Sequence, residues 1–254
     1  MPVEADAFAG LATETVEVTA AGLTLHEGVV AGRRVAWCVA GAGNEPAGRA
    51  TRLLIDGHRP RLILSAGFAG GLDPALTRGT VVYPRRSLNR TGGPPIAVAA
   101  TGQGSAAAAA GSATSSDDLT IVSVDTVVTT AAAKRDLAAV TGASLVDMET
   151  YAVATAARAA GLPCISIRVI SDDASQDLPK EIAALVQPQS GMRRLGAALA
   201  GVGRRPRAAL DMWKLWEHAV VDGRTLADAI KTCLEGLSDS PSAVSRPGSS
   251  PDRA

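Results

Sequence analysis

Two short acidic segments contain the side chains of this sequence that are best suited to chemistry. The first acidic segment, residues 146–150, reads Val-Asp-Met-Glu-Thr, and the second acidic segment, residues 168–173, reads Arg-Val-Ile-Ser-Asp-Asp. Carboxylates in a cleft can hold hydroxyl groups, stabilise a developing positive charge or pass a proton. The purely structural alternative is that Asp147 and Glu149 favour a helix N-terminus, while Asp172 and Asp173 lie in a turn.

The elements around these segments predict where the carboxylates lie. Leu145 and Val146 end a short buried strand, residues 151–160 form an Ala-rich helix, and residues 164–170 form a β-branched strand. A strand–helix–strand unit usually returns parallel to itself. The two acidic segments should therefore lie near the same edge of a sheet, which is where open α/β sheets bind ligands.

A glycine-rich segment, residues 62–82, is the third feature of interest. It predicts a buried strand, then a glycine turn over residues 67–71, a short connector and a second strand that reaches Val82. Glycines at the end of a strand let a ligand approach the backbone amides closely, because no Cβ intervenes.

These three segments, in this order and spacing, resemble the purine nucleoside phosphorylase superfamily, and most closely its 5′-methylthioadenosine/S-adenosylhomocysteine nucleosidase branch. The resemblance covers residues 30–180, and more loosely residues 4–200. It implies an α/β protein with a three-layer nucleoside phosphorylase-like fold, in which helices flank a central mixed sheet.

The resemblance also implies roles for residues at the leaving base and the sugar. Cleavage of an N-glycosidic bond develops positive charge on the ribose and negative charge on the departing purine. Asp172, with Ser171 beside it, would protonate or hydrogen-bond the purine near N7. Glu149 would hold the ribose hydroxyls, and Met148 would pack against the sugar.

Further positions are assigned to the base slot and to Arg168. Val127 and Val128 would meet the base edge. Val127 stands where nucleosidases have an aromatic residue that stacks on adenine, so the base slot is less selective through stacking. Adenine is therefore the leading choice of base, but not a firm one. Arg168 lies four residues before Asp172 on the same strand. It would either orient a carboxylate in the pocket or form a buried structural ion pair.

The nucleophile end of the pocket distinguishes hydrolysis from phosphorolysis. Bacterial hexameric phosphorylases carry an Arg two residues before the motif glycine, Gly67, and a Ser just after it, where this chain has Ser65 and Phe68. A site without that cation and hydroxyl favours water over phosphate. Arg85 or Arg86 could still supply charge, which keeps phosphorolysis open.

Glu4 matches the position of the carboxylate that activates water in the nucleosidases. The family's first strand should precede it, yet only Met1-Pro2-Val3 remain here. Either the true start lies upstream or the sheet lacks a strand, and we favour the upstream start because a lost central strand would expose ladder groups. The structural alternative for Glu4 is a solvated residue in a frayed terminus.

Composition excludes several function classes. The 25 Lys and Arg residues balance 25 Asp and Glu residues, so no overall basic field points to nucleic acid. The three cysteines are far apart and the three histidines are scattered, which predicts buried structural thiols and neither a disulfide framework nor a zinc site. The resemblance implies no metal and no organic cofactor. Without a leader or an apolar span, we expect a cytoplasmic protein with no membrane partner. We further expect a homodimer.

The remaining pattern predicts one domain over residues 1–237 and a disordered tail over residues 238–254. Residues 14–40 predict a strand meander, residues 45–56 a helix, residues 120–128 a strand, residues after Pro179 a helix, and residues 208–237 a helical pair.

The expected function is hydrolysis of a purine nucleoside of the methylthioadenosine/S-adenosylhomocysteine type. One alternative is a phosphate-dependent phosphorylase, including the hopanoid-associated type, and futalosine hydrolases share the same skeleton. A second alternative is a nucleoside-binding protein without turnover.

Overall fold

The computed structural model describes residues 2–98, 119–178 and 206–237. The elements, in chain order, are α1 (Pro2–Ala9), β1 (Thr13–Ala20), β2 (Leu23–Val30), β3 (Arg33–Cys38), α2 (Asn44–His58), β4 (Ile63–Gly71), β5 (Val81–Val82), β6 (Arg86–Asn89), β7 (Ile96–Ala97), β8 (Thr120–Ser123), α3 (Ala131–Thr141), β9 (Leu145–Asp147), α4 (Thr150–Ala159), β10 (Cys164–Asp172) and α5 (Pro206–Gly236). The predicted tail, residues 179–205 and residues 99–118 lie outside the described residues.

The strands form two sheets. The predicted meander is confirmed as an antiparallel three-stranded sheet of β1, β2 and β3. The larger, mixed sheet has seven strands in the order β5-β10-β4-β9-β8-β6-β7. In it, β10 runs parallel to β4, and β8 runs parallel to both β6 and β9.

Helices cover both faces of the large sheet because side chains along β10 alternate between them. Ile165, Ile167 and Val169 pack in a cluster with α1 and α5. Cys164 packs in a second cluster with α2 and α4. This helix–sheet–helix arrangement confirms the predicted three-layer α/β fold with a central mixed sheet.

The glycine segment is part of a strand, and its prediction as a turn is wrong. Strand β4 continues through Gly71, because Gly70 and Gly71 pair with β9 while Gly70 also pairs with β10. A Cβ on Gly71 would lie 3.0 Å from the carbonyl oxygen of Leu76. The glycines therefore allow close packing around an extended strand.

The predicted parallel relation between β9 and β10 is also wrong. Strand β4 lies between them and is parallel to β10 but antiparallel to β9, which it meets only at Gly70 and Gly71. The acidic segments nevertheless meet, because the end of β4 crosses β9 beside the end of β10. A bulge in the pairing between Ile170 and Asp172 accompanies this crossing.

Other boundaries differ from the prediction in simple ways. Strand β8 stops at Ser123, after which Val124 donates to the carbonyl of Asp147 and the chain leaves the sheet. The region predicted as a helical pair is one helix, α5, of 31 residues. No helix among the described residues is long and apolar enough to cross a membrane.

Candidate active site

Glu149 lies between the first acidic segment and a turn that precedes α2. Its Oε1 accepts a hydrogen bond from the amide of Gly43 at 2.8 Å, and its Oε2 accepts one from the amide of Met148 at 3.2 Å. Gly43 can present this amide because its φ of 107° is in the region that favours glycine. Burial, and then the charge of Asp147, raise the pKa of Glu149.

Asp147 forms a buried ion pair with Arg168. Arg168, only 2% exposed, donates from Nη2 to Oδ2 of Asp147 at 2.9 Å. Ser123 donates to the other carboxylate oxygen of Asp147 at 2.6 Å, and the backbone amide and hydroxyl of Thr150 both donate to Oδ2. Asp147 therefore caps the N-terminus of α4 and neutralises Arg168. These contacts are those of a helix-capping carboxylate and of a buried structural ion pair, the structural alternatives for the two residues.

Glu4 reaches the same neighbourhood from α1, and it is not a solvated residue in a frayed terminus. Its Oε1 accepts a hydrogen bond from the amide of Phe68 at 2.9 Å. A Cβ on Gly67 would lie 3.1 Å from that oxygen and 3.7 Å from Nη1 of Arg168. The absent side chain of Gly67 therefore makes room for Glu4 beside Arg168.

Asp172 lies at the end of β10, 7% exposed, on the side that faces Gly70. Its Oδ1 accepts a hydrogen bond from the hydroxyl of Ser171 at 2.7 Å. A Cβ on Gly70 would lie 3.1 Å from Oδ2 of Asp172. Strand β4 thus leaves a space at Gly67 for Glu4 and one at Gly70 for Asp172.

Asp173 points elsewhere. Its Oδ1 accepts hydrogen bonds from the hydroxyl and the amide of Ser175, at 2.6 Å and 2.9 Å. The hydroxyl of Ser175 is the main cause that lowers the pKa of Asp173. Asp173 is therefore held as an anion in a local turn, whereas Asp172 lies in the interior.

Lys134 and Gly43 are site neighbours that sequence reasoning missed. Lys134 is fully buried, and its Nζ lies 2.5 Å from Oδ2 of Asp172. A single lysine in an Ala-rich helix is typical of a solvated face, so the sequence does not predict that Lys134 is buried. The Gly-Ala-Gly run before α2 predicts a turn, but not that the Gly43 amide meets Glu149.

The residues assigned to the sugar and base are partly buried. Val128 and Met148 pack against one apolar cluster at the end of β8 and β9, and Val127 lies half-buried in the loop between β8 and α3. This loop is anchored at its far end, because Leu178 donates to the carbonyl of Thr129 at 2.7 Å.

At the nucleophile end, neither candidate phosphate position offers a side chain to an anion. The hydroxyl of Ser65 accepts a hydrogen bond from Arg168 at 2.7 Å, and the ring of Phe68 packs in the apolar cluster of α1 and α5. Arg86 pairs with Thr120 at the start of β8. Thr120 precedes Ser123, the residue of β8 that contacts Asp147, by three residues, which is about 10 Å along the strand.

The described residues contain no group of three or more His, Cys, Asp or Glu side chains arranged to hold a metal ion. Burial raises the pKa of Cys164 to about 12 and that of Cys233 to about 11. These two thiols are therefore poor nucleophiles at neutral pH.

Comparisons with known proteins find curated relatives over parts of the chain. A segment of 65 residues is 42% identical to a 5′-methylthioadenosine/S-adenosylhomocysteine nucleosidase of Pseudoalteromonas translucida, and covers 26% of this chain and 28% of that relative. A segment of 82 residues is 32% identical to the corresponding nucleosidase of Actinobacillus succinogenes, covering 32% and 36%. The chain thus matches only about a third of the length of these relatives.

Solved structures show the same fold over nearly the whole chain. The nucleosidase from Neisseria meningitidis in complex with methylthio-immucillin-A aligns with a TM-score of 0.71 at 19% identity, covering 93% of this chain and 96% of that one. Futalosine hydrolase of Helicobacter pylori aligns with a TM-score of 0.68 at 18% identity, covering 93% and 95%. The family model described as the Phosphorylase superfamily matches residues 1–200. The chain therefore belongs to the Phosphorylase superfamily.

Proposed function

We propose that this protein hydrolyses the N-glycosidic bond of purine nucleosides of the 5′-methylthioadenosine/S-adenosylhomocysteine type. The observation that carries the proposal is the placement of two carboxylates against β4, Glu4 at Gly67 and Phe68 and Asp172 at Gly70. A third carboxylate, Glu149, is held by the amide of Gly43 just after β9, the strand that pairs with β4. The names of the curated relatives support the choice of substrate class.

Each carboxylate has a distinct task in this proposal. Ionised Glu149 accepts the ribose hydroxyls and stabilises positive charge on the sugar as the bond to the base breaks. Asp172 delivers a proton to the base, which leaves with the bonding electron pair. Glu4 takes a proton from the attacking water, whose oxygen forms the new bond to the ribose carbon.

The surroundings of Glu4 favour water as the nucleophile. The amide of Phe68 already donates to Glu4, and the guanidinium of Arg168 is engaged by Asp147 and Ser65. A phosphate dianion beside the Glu4 carboxylate would be repelled unless another cation approached. Arg90, whose backbone amide donates to the carbonyl of Ser123, is the arginine to test for that role.

We also propose the cytoplasm as the place of action and a homodimer as the assembly. Val16 and Val18 on the outer strand β1 are 56% and 46% exposed, which is apolar surface that a second copy could cover. Sedimentation velocity of the purified chain measures the assembly.

The reaction type is tested by product analysis on a panel of purine nucleosides, with and without phosphate. We expect free sugar in phosphate-free buffer, at a rate that added phosphate does not raise. The matched variant Arg90→Gln should behave as the wild type. A sugar 1-phosphate product that appears only with phosphate, and is lost in Arg90→Gln, would make the protein a phosphorylase.

Absence of base release from every nucleoside, despite measurable binding, would instead support the non-catalytic alternative. In that case isothermal calorimetry with adenine-type ligands would give the affinity of a binding protein. The hydrogen bond from the Phe68 amide to Glu4 argues against this alternative. It holds the carboxylate that the proposed mechanism needs as the base for the attacking water.

A further inference from the structure

Lys134 is a buried cation whose contacts the three-carboxylate scheme does not use. It lies in the first turn of α3 and is 0% exposed. Its Nζ contacts three oxygen atoms, namely Oδ2 of Asp172 at 2.5 Å, the carbonyl of Asp173 at 2.5 Å and the carbonyl of Gln176 at 3.2 Å. Three acceptors match the three N–H groups of an ammonium.

The same three contacts also suit a neutral amine. If the proton moves to Asp172, the amine keeps two N–H groups for the two carbonyls, and its lone pair accepts from the new carboxylic acid. Neither arrangement leaves the amine or the carboxyl group without a hydrogen-bond partner, so the contacts of the pair are satisfied whichever side chain holds the proton.

Other charged groups near Asp172 are engaged elsewhere. Arg168, four residues earlier on β10, donates to Asp147 and Ser65, and the carboxylate of Asp173 is held by Ser175. Asp177 accepts from the amide of Ala131 at the start of α3, at 2.7 Å. The segment after Asp172 thus wraps the N-terminus of α3 and fixes Lys134 against the acid.

We propose that Lys134 is a positioning residue that shares one proton with Asp172 and so supplies the proton which Asp172 gives to the leaving base. This inference rests on the proposed function. As the glycosidic bond breaks, Asp172 passes its proton to the base, which keeps the bonding electrons, and Lys134 is left as a neutral amine. The proton that Glu4 removed from water returns through solvent to Asp172, the more exposed member of the pair, and passes from Asp172 to Lys134, which restores the starting state.

The test is a cycle of Lys134→Met, Asp172→Asn and the double variant on two substrates. One substrate is a purine nucleoside, and the other is a 4-nitrophenyl riboside, whose leaving group needs no proton. We expect each single variant to lose on the order of a hundred-fold or more in turnover on the purine nucleoside, and little on the nitrophenyl riboside. The double variant should lose no more than the singles, because both act in one step.

Two matched controls sit beside the tested residues. Arg135→Met replaces the exposed cation next to Lys134 on α3, and Asp173→Asn replaces the carboxylate next to Asp172. Both should stay near the wild type on both substrates. Equal losses of Lys134→Met on both substrates, or losses that multiply in the double variant, would overturn the proposal in favour of a merely structural role.

A second variant and a stability measurement keep the test decisive. Lys134→Arg keeps the positive charge but does not release a proton near neutral pH, so it should bind the nucleoside and turn it over slowly; wild-type turnover would overturn the proposal. In thermal unfolding, each single variant should lower Tm and the double variant should recover part of the loss. If the wild type releases no base at all, the proposed function fails, while additive losses in Tm would separately overturn the pairing.

Discussion

Glu149 shows how one residue of the site is held by a few named contacts. The amides of Gly43 and Met148 donate to its two oxygens, while burial and the neighbouring Asp147 act against its charge. Its pKa is raised because the unfavourable causes outweigh the favourable ones. A carboxylate in this balance is ready to gain hydrogen bonds from ribose hydroxyls, which stabilise the ionised form.

We expect Glu149→Gln to lower kcat/KM by on the order of a hundred-fold or more, with the fold intact, because the charge that favours a cationic sugar is removed. The wild-type profile should lose activity as the pH falls through the raised pKa of Glu149, above the ordinary value for a Glu near 4.3. That acid limb should be absent from the variant. Steady-state kinetics from acid to neutral pH, with circular dichroism as the fold control, measures both effects.

A folded Glu149→Gln protein with near-normal activity would remove Glu149 from the site. An unchanged acid limb in a slow variant would assign that limb to another group, for which Glu4 is the first candidate.

At the scale of elements, β4 determines the shape of the site. Because Gly67 and Gly70 lack side chains, Glu4 and Asp172 approach this strand closely. The glycine-rich sequence predicts a place of close approach, but it predicts a turn there and not a strand. Sequence pattern alone could not show the difference, since a run of glycines weakens the strand signal whether or not neighbouring strands pair with it.

We expect Gly70→Ala to displace the acid. Its Cβ would lie 3.1 Å from Oδ2 of Asp172 and 3.2 Å from Cγ1 of Val146, so both neighbours must shift by a few tenths of an ångström. Turnover should fall about ten-fold or more, and the free energy of unfolding should fall by about 1–3 kcal/mol. Kinetics and urea unfolding measure the two effects.

The matched control is Gly57→Ala in α2, where a Cβ would meet nothing within 4 Å. It should leave turnover unchanged and raise the free energy of unfolding by up to about 1 kcal/mol. If Gly70→Ala resembles this control, the clearance at Gly70 has no role in positioning Asp172.

The topology was predicted less well than the elements themselves. The meander, α2, α4 and β10 follow from periodicity and were expected, because each has a local pattern of apolar residues. The insertion of β4 between β9 and β10 has no local signature, since only two residues of β9 pair with it. The prediction of parallel strands failed there, although the expected meeting of the two acidic segments did occur.

At the scale of the whole molecule, helix α5 packs on the sheet through apolar contacts and is joined to the connector between β4 and β5 by an ion pair. Nη2 of Arg78 lies 2.9 Å from Oδ1 and 3.1 Å from Oδ2 of Asp222, whose side chain is only 4% exposed. Burial raises the pKa of Asp222, whereas the charge of Arg78 opposes that change. Arg78 thus stabilises a carboxylate that burial alone would disfavour.

We expect Arg78→Met to lower the free energy of unfolding by about 3–5 kcal/mol at neutral pH, because it leaves a buried carboxylate unpaired. The pKa of Asp222 in the folded variant then rises further above its unfolded value. The penalty is therefore full above the folded pKa and disappears as the pH falls below the unfolded pKa. Urea unfolding of both proteins at mildly acidic and neutral pH measures the difference.

Lys231→Met is the control for this comparison, because Lys231 and Glu235 form an exposed pair at 3.9 Å on the same helix. Its effect should stay within about 1 kcal/mol at either pH. A penalty for Arg78→Met that does not shrink in acid would mean that packing of the Arg78 stem, rather than its charge, attaches α5.

Only those residues of the site whose type and position in the sequence indicate a chemical role could be predicted. Acidic residues at strand ends suggested Asp172 and Glu149, whereas Lys134 was missed because an isolated lysine does not reveal its burial. The residue types of Asp147 and Arg168 suggest an ion pair, but their pairing depends on the order of β9, β4 and β10 in the sheet, which the sequence does not show. What remained out of reach was which side chains face each other across the sheet.

The hydrogen bond from Gly43 to Glu149 has a consequence for how this family can diverge. The donor is the main-chain amide of Gly43, 106 residues from Glu149 in sequence. Gly43 lies in a turn and has a φ of 107°, which favours glycine. The residues around it can drift without removing that donor, provided the turn keeps its course. One of the hydrogen bonds that hold Glu149 thus depends on backbone conformation and not on a side chain. Substitutions tested one position at a time would show it only as a requirement for glycine at position 43.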